Sequence, residues 1–190
     1  MMKQTNIALL GLLFLTLTSF TYFNHLNHNF VITHGQAGPF TLNSAFPGEG
    51  SYLGYDLVKK EAIHHAEDGT DKEIVYHAQK EGITHIIIHP KPDNDALIGE
   101  LEVVSSLYET EEGIGVGSSL NDFYSYYPKA EAFYTFVSGM YWLEQPDLKE
   151  TQFMIDEETY LGEPDDSSDL TELKKSKLDM KGRITSIRIY

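Results

Sequence analysis

Two segments far apart in the chain carry the same uneven apolar spacing. Ile98-Gly-Glu-Leu101-Glu-Val103 and Ile184-Thr-Ser-Ile187-Arg-Ile189 both place aliphatic residues at offsets of 0, 3 and 5. A spacing written twice constrains the fold strongly, because it demands two strands that meet the core in the same way. The segments upstream extend the parallel. Gly113-Ile-Gly-Val-Gly117 reads as a short strand and turn, and Ser118 or Ser119 as a helix N-cap. Leu120, Phe123, Tyr124 and Tyr127 then share one helical face until Pro128 stops the helix. Phe40-Thr-Leu-Asn-Ser-Ala-Phe-Pro47 parallels this stretch with a shortened helix.

Strands are expected at 55–65, 73–79, 83–89 and 98–107, with Asp68-Gly69 as a hairpin signal between the first two. A second set is expected at 132–137, 140–143, 152–155 and 184–190. The fold class this implies is α+β, built as two tandem repeats, each a short helix packed on an antiparallel sheet. The first repeat would span 38–110 and the second 111–190, with an acidic loop near 156–181. One irregular α+β domain is the competing reading. At 190 residues and 21.5 kDa the chain has room for one ordinary domain or two small ones, and is too short for a (β/α)8 barrel with accessories.

Residues 1–23 contain one charge, Lys3, and an apolar run from Ile7 to Phe20. This reads as a signal peptide or as an N-terminal anchor over residues 7–23; Ser19-Phe20-Thr21 offers no A-x-A-like cleavage site, so both stand. Either implies export to a periplasmic or extracellular location, with 24–37 as a polar linker. The chain has no Cys, which removes disulfides, thiol nucleophiles and lipid attachment through Cys. Its 14 Lys and Arg stand against 29 Asp and Glu, a formal net charge of −15. Such a surface disfavours nucleic acid and anionic lipid, so the membrane is met only through the N-terminal segment.

The stretch Gly113-Ile-Gly-Val-Gly-Ser-Ser-Leu-Asn-Asp-Phe-Tyr, its following Tyr-Pro and the Ile-Thr-Ser-Ile-Arg-Ile-Tyr ending resemble uncharacterised exported bacterial proteins. They are also similar to the helix-plus-sheet modules of β-lactamase-inhibitor-protein-like and outer-membrane-assembly small lipoproteins, although the lipidated Cys of the latter is missing here. The resemblance implies a binding or assembly module and transfers no catalytic residue.

The residues themselves assemble no active site. Gly113, Gly115 and Gly117 lack the third Gly of G-x-G-x-x-G and any Walker Lys, and no Ser sits in G-x-S-x-G. A glycan-hydrolysing enzyme would need a carboxylate pair that the sequence does not single out. Eight His are present, and strict alternation in 83–89 puts His85, Ile87 and His89 on one face. With His77 from the preceding strand they form a candidate zinc or copper site, or a group that charges near pH 6. Otherwise no cofactor is expected. The acidic run from Asp156 to Asp169 resembles a calcium loop in composition only.

Nine aromatic residues fall between Phe123 and Trp142. Part of them must pack helix against sheet, and Tyr126, Tyr134, Tyr141 and Trp142 are the expected partner-binding residues, since interfaces favour Tyr and Trp. The functional expectation is non-catalytic binding at the cell envelope, to another protein with a basic face. The alternative is an extracytoplasmic metal-binding protein using His77, His85 and His89.

Overall fold

A computed structural model describes residues 30–66, 69–165 and 168–190. The expected leader, with His25 and His28, lies outside them, as do the side chains of His64 and His65. Among the described residues the protein is mostly β, with one short α-helix. This corrects the expected α+β class with two helix-on-sheet repeats.

Three two-residue strands, β1 (Ile32–Thr33), β2 (Gln36–Ala37) and β3 (Phe40–Thr41), form a small sheet. The other strands are β4 (Gly50–Tyr52), β5 (Tyr55–Ala66), β6 (Gly69–Lys80), β7 (Ile83–Lys91), β8 (Asn94–Val103), β9 (Glu131–Thr135), β10 (Met140–Glu144), β11 (Thr151–Ile155), β12 (Leu170–Leu173) and β13 (Ile184–Ile189). They make one ten-stranded antiparallel sheet in the order β12-β9-β10-β11-β13-β8-β7-β6-β5-β4. No helix of the described residues is long and apolar enough to cross a membrane.

The two strands with the 0, 3, 5 spacing are neighbours at the middle of this sheet, with Ile187 opposite Val103 and Ile189 opposite Leu101. Each spacing encodes a bulge. His89 faces Glu100 and Pro90 faces Ile98, so Gly99 is the extra residue in β8; Met154 faces Ser186 and Ile155 faces Ile184, so Thr185 is the extra residue in β13. One inserted residue resets the period of two, which lets Ile98 and Leu101, or Ile184 and Ile187, both turn inward. All four are buried in one core.

That core covers one face of the sheet. The helix α1 (Leu120–Tyr126) lies on it through Leu120 and Phe123, and the Phe123 ring meets Phe153 of β11 edge to face at 4.9 Å. Ser119 caps α1 as expected, its side chain accepting the Asp122 N–H at 3.1 Å. Gly115, read above as part of a turn, is required by contact: a Cβ there would lie 2.3 Å from the Tyr108 carbonyl oxygen.

The segment matched to this helix in the first half does not coil. Asn43 takes a left-handed φ of 63° and ends the stretch that begins with β3, while Phe40 reaches the core from β3 and Phe46 from irregular chain. Ile32 and Ala37, inside the expected linker, are fully buried in the same core. The acidic stretch also carries an edge strand, β12, which pairs with β9.

Candidate functional site

The second face of the ten-stranded sheet carries side chains outside the core cluster. Val75, Trp142 and Met154 are buried on it, yet none belongs to the core cluster. Because directly opposed residues of antiparallel strands share a face, the register lays out a row across five strands. His77 of β6 opposes Ile87 of β7, Ile87 opposes Glu102 of β8, Glu102 opposes Arg188 of β13, and Arg188 opposes Gln152 of β11.

Arg188 does not pair with the glutamate opposite it. Its Nε and Nη2 donate to Oε1 and Oε2 of Glu100, one step along β8, at 2.7 and 2.8 Å. This bond to Glu100 raises the arginine's affinity for its proton, against the effect of burial. Glu102 forms no ion pair among the described residues; its field raises the pKa of both Arg188 and His77. His89, opposite Glu100, places Nδ1 3.0 Å from Glu73 Oε1, and its Nε2 is buried with no hydrogen-bond partner among the described residues.

Beside this row the face is hollowed into an open groove of about 890 Å³. Its walls carry Glu73, Glu100, Glu102, Asp156 and Glu157 against Arg188 and His89, with Met140, Met154 and Val137 as apolar lining. Val137, at the β9–β10 turn, is 76% exposed. Nearby, the Trp142 ring stacks on Phe133 at 5.8 Å and its Nε1–H donates to Glu144 Oε1 at 2.7 Å.

The histidines proposed as a metal set are divided by the sheet. His77 and His89 lie on the open face, but the expected alternation through His85 fails: Ala78 opposes Ile86 and Gln79 opposes Thr84, so His85 is a bulge residue. It turns to the covered side, with its ring against Tyr55 and Tyr108 and its Nδ1 3.0 Å from Ser105 Oγ. Burial and then Lys80 lower its pKa. His77 has Nδ1 3.2 Å from Thr84 Oγ1 and a pKa lowered by burial and then by Lys60. Among the described residues, no group of three or more His, Asp or Glu side chains converges as a metal site.

The four aromatic candidates do not form one surface either. Tyr141 belongs to the core and also lines the groove, and Tyr134 packs against it at 4.7 Å; Tyr126 is 58% exposed at the end of α1, and Trp142 lies on the open face outside the groove lining. Sequence reasoning missed Glu73, Glu100, Glu102 and Arg188. For Glu100, Glu102 and Arg188 the available signal was their alternation with the core residues Leu101, Val103, Ile187 and Ile189, which assigns them to one non-core face once the two strands are known to pair.

No family model and no curated protein matches the sequence. Among solved structures the chain is similar to the uncharacterized protein YfeY from Escherichia coli, with a TM-score of 0.45 and 11% identity, over 70% of this chain and 80% of that one.

Proposed function

We propose that this chain is an exported, non-catalytic binding protein whose open sheet face holds a basic segment of another cell-envelope protein. The observation that carries the reading is the charge of the groove: five carboxylates line it, and the one arginine among them is already engaged by Glu100. A net charge of −15 extends the same sign over the rest of the protein and favours encounter with cations. Met140, Met154 and Val137 offer apolar contact to the stems of lysine or arginine side chains. The apolar run in residues 7–20 supports export, as a leader or as an anchor.

Trp142, the sole tryptophan, lies on this face and supplies the readout. Titration with a lysine- and arginine-rich peptide is expected to change its emission, and an acidic peptide of equal length is not. Binding should weaken steeply between 50 and 500 mM salt as screening shortens to a few ångströms. The triple variant Glu102→Gln, Asp156→Asn, Glu157→Gln should bind at least about tenfold more weakly, on the order of 0.5 kcal/mol per exposed charge. Equal affinity for both peptides, or an unaffected triple variant, would sink the reading.

A further inference from the structure

Three exposed aliphatic side chains stand at one end of neighbouring strands. Leu53 lies in the β4–β5 turn, Ile83 follows the β6–β7 turn, and Leu107 follows β8; each has half or more of its surface in water. The register gathers them. Tyr52 opposes Tyr55, Asp56 opposes Gln79, Lys80 opposes Ile83 and Ile86 opposes Val103, so both turns and the exit of β8 lie at the same end of the sheet. The described chain begins there too. The Phe30 ring meets Tyr108 edge to face at 5.3 Å, Lys80 Nζ lies 5.3 Å from its centroid, and the Phe30 carbonyl accepts the Glu109 N–H at 3.1 Å. We propose that this end of the sheet rests on a lipid bilayer, with Leu53, Ile83 and Leu107 set into its surface. The proposal rests on residues 7–23 being retained as an anchor, and it adds a contact made by the folded part to the one made by the N-terminal segment.

Chain length fixes how near that end must be. Residues 24–29 alone separate Phe23, where the expected anchor ends, from Phe30, and a fully extended chain covers that interval in at most about 25 Å. An anchor in the bilayer therefore keeps Phe30, and the turns beside it, within a short tether of the headgroups. The local charge agrees. Residues 53–54, 80–83 and 104–107 contain one Lys and one Glu, in a chain of net charge −15, so this end meets a zwitterionic surface without the repulsion that an acidic one would meet on anionic lipid. Leu53 gives the sharpest sign. It takes a left-handed φ of 51° before Gly54 at 81°, in a two-residue hairpin turn that favours Asn, Asp or Gly at this position. The turn beside it repeats the geometry with Glu81 and Gly82, at 52° and 78°. A leucine in that conformation accepts an unfavourable backbone and still leaves half of its side chain in water. Contact with the acyl boundary of a bilayer supplies the apolar burial that the protein does not.

The chain has no Cys, so one introduced thiol takes one label. Leu53→Cys, Ile83→Cys, Leu107→Cys and Tyr190→Cys are each coupled to a polarity-sensitive nitrobenzoxadiazole dye in the full chain. Each is reconstituted into phosphatidylcholine vesicles with and without nitroxide-labelled lipid. Tyr190 is the control: it is exposed and follows β13, which runs antiparallel to β8 and so finishes at the opposite end of the sheet. Flotation with the vesicles reports the anchor, quenching by the nitroxide reports docking, and far-UV circular dichroism reports the fold. The dyes at 53, 83 and 107 are expected to emit at shorter wavelength in vesicles than in detergent-free buffer, and to be quenched at least about threefold more than the dye at 190, as insertion to about 5–10 Å requires. A chain that floats but is quenched equally at all four positions, or at none of the three, overturns the inference and leaves the anchor standing. A chain recovered after export without residues 1–23, or one that does not float, overturns the anchor and the inference with it. None of these results bears on the groove as a site for a basic segment, which the peptide titration tests separately.

Discussion

Arg188 and Glu100 are joined by two parallel hydrogen bonds although 88 residues separate them in the chain. The pair bridges β13 to β8, where the second half of the chain meets the first. Both side chains are more than two-thirds shielded, at 26% and 19% exposure, so loss of one leaves a charge that water solvates poorly. Glu100→Ala should cost about 2–3 kcal/mol and lower Tm by about 5–10 °C. Replacing both, as Glu100→Leu with Arg188→Met, should recover most of that loss, because the penalty lies in the unpaired ion. Thermal denaturation of the two variants tests it, and a single variant melting within a degree of wild type would count against it.

Most strands of the large sheet were legible from alternation and turn residues, and α1 from its spacing and Ser119 cap. What misled was the meaning of the shared 0, 3, 5 spacing. It marks bulges at Gly99 and Thr185 in two strands that pair with each other. Read as the end of a repeat, it led to a second helix that Asn43 and the brevity of Phe40–Pro47 do not allow. The candidate face was hidden for a similar reason. Period-two reading places Glu100, Glu102 and Arg188 away from the core, but only the partner of each strand says that they meet. His85 shows the same limit in reverse, since a bulge moved it off the face that alternation assigned.

The Tyr127 hydroxyl lies 2.5 Å from Glu112 Oε2 and 2.8 Å from Thr110 Oγ1. Its bond holds the Glu112 carboxyl below the usual carboxylate range, while burial and that bond push the Tyr127 phenol up. The depressed acid contributes stability that is present above its unfolded pKa near 4.3 and is lost as pH falls through the folded value. The raised phenol contributes stability that is present below its unfolded pKa near 10 and is lost as pH rises through the folded value. Tyr127→Phe should therefore flatten the stability profile below about pH 4 and above about pH 10, at a cost of about 1–2 kcal/mol at neutrality. Urea denaturation across pH checks it, and parallel profiles for wild type and variant would refute it.

Gly99 is the extra residue of the β8 bulge, and it sits against the returning strand. A Cβ there would lie 3.0 Å from the Lys91 Cα and N and from the Pro90 carbonyl oxygen, all of them backbone atoms. Gly99→Ala should cost about 1–3 kcal/mol, since nothing flexible can move aside. Thr185, the corresponding residue in β13, is exposed and already carries a side chain. Thr185→Ala should change stability by less than about 0.5 kcal/mol. The difference in urea midpoints reports whether the two bulges differ in this way; equal losses would mean that close approach at Gly99 is not what excludes a side chain.

Tyr126 and Phe123 stand three residues apart on α1 and differ sharply in burial, Tyr126 being the last residue of the helix. Phe123 has no exposed surface and its ring meets those of Tyr124, Tyr127 and Phe153, whereas Tyr126 is 58% exposed. Phe123→Ala removes a ring from a packed cluster and should cost about 3–5 kcal/mol, comparable with a large part of the stability of an ordinary domain. Tyr126→Ala removes a ring mostly in water and should stay within about 0.5 kcal/mol. Neither residue lies on the open face of the sheet, so Tyr126→Ala should also leave the affinity for the lysine- and arginine-rich peptide at the wild-type value. A large loss of binding in that variant, with stability intact, would move the partner to the helix end and away from the groove that Glu102 and Arg188 line.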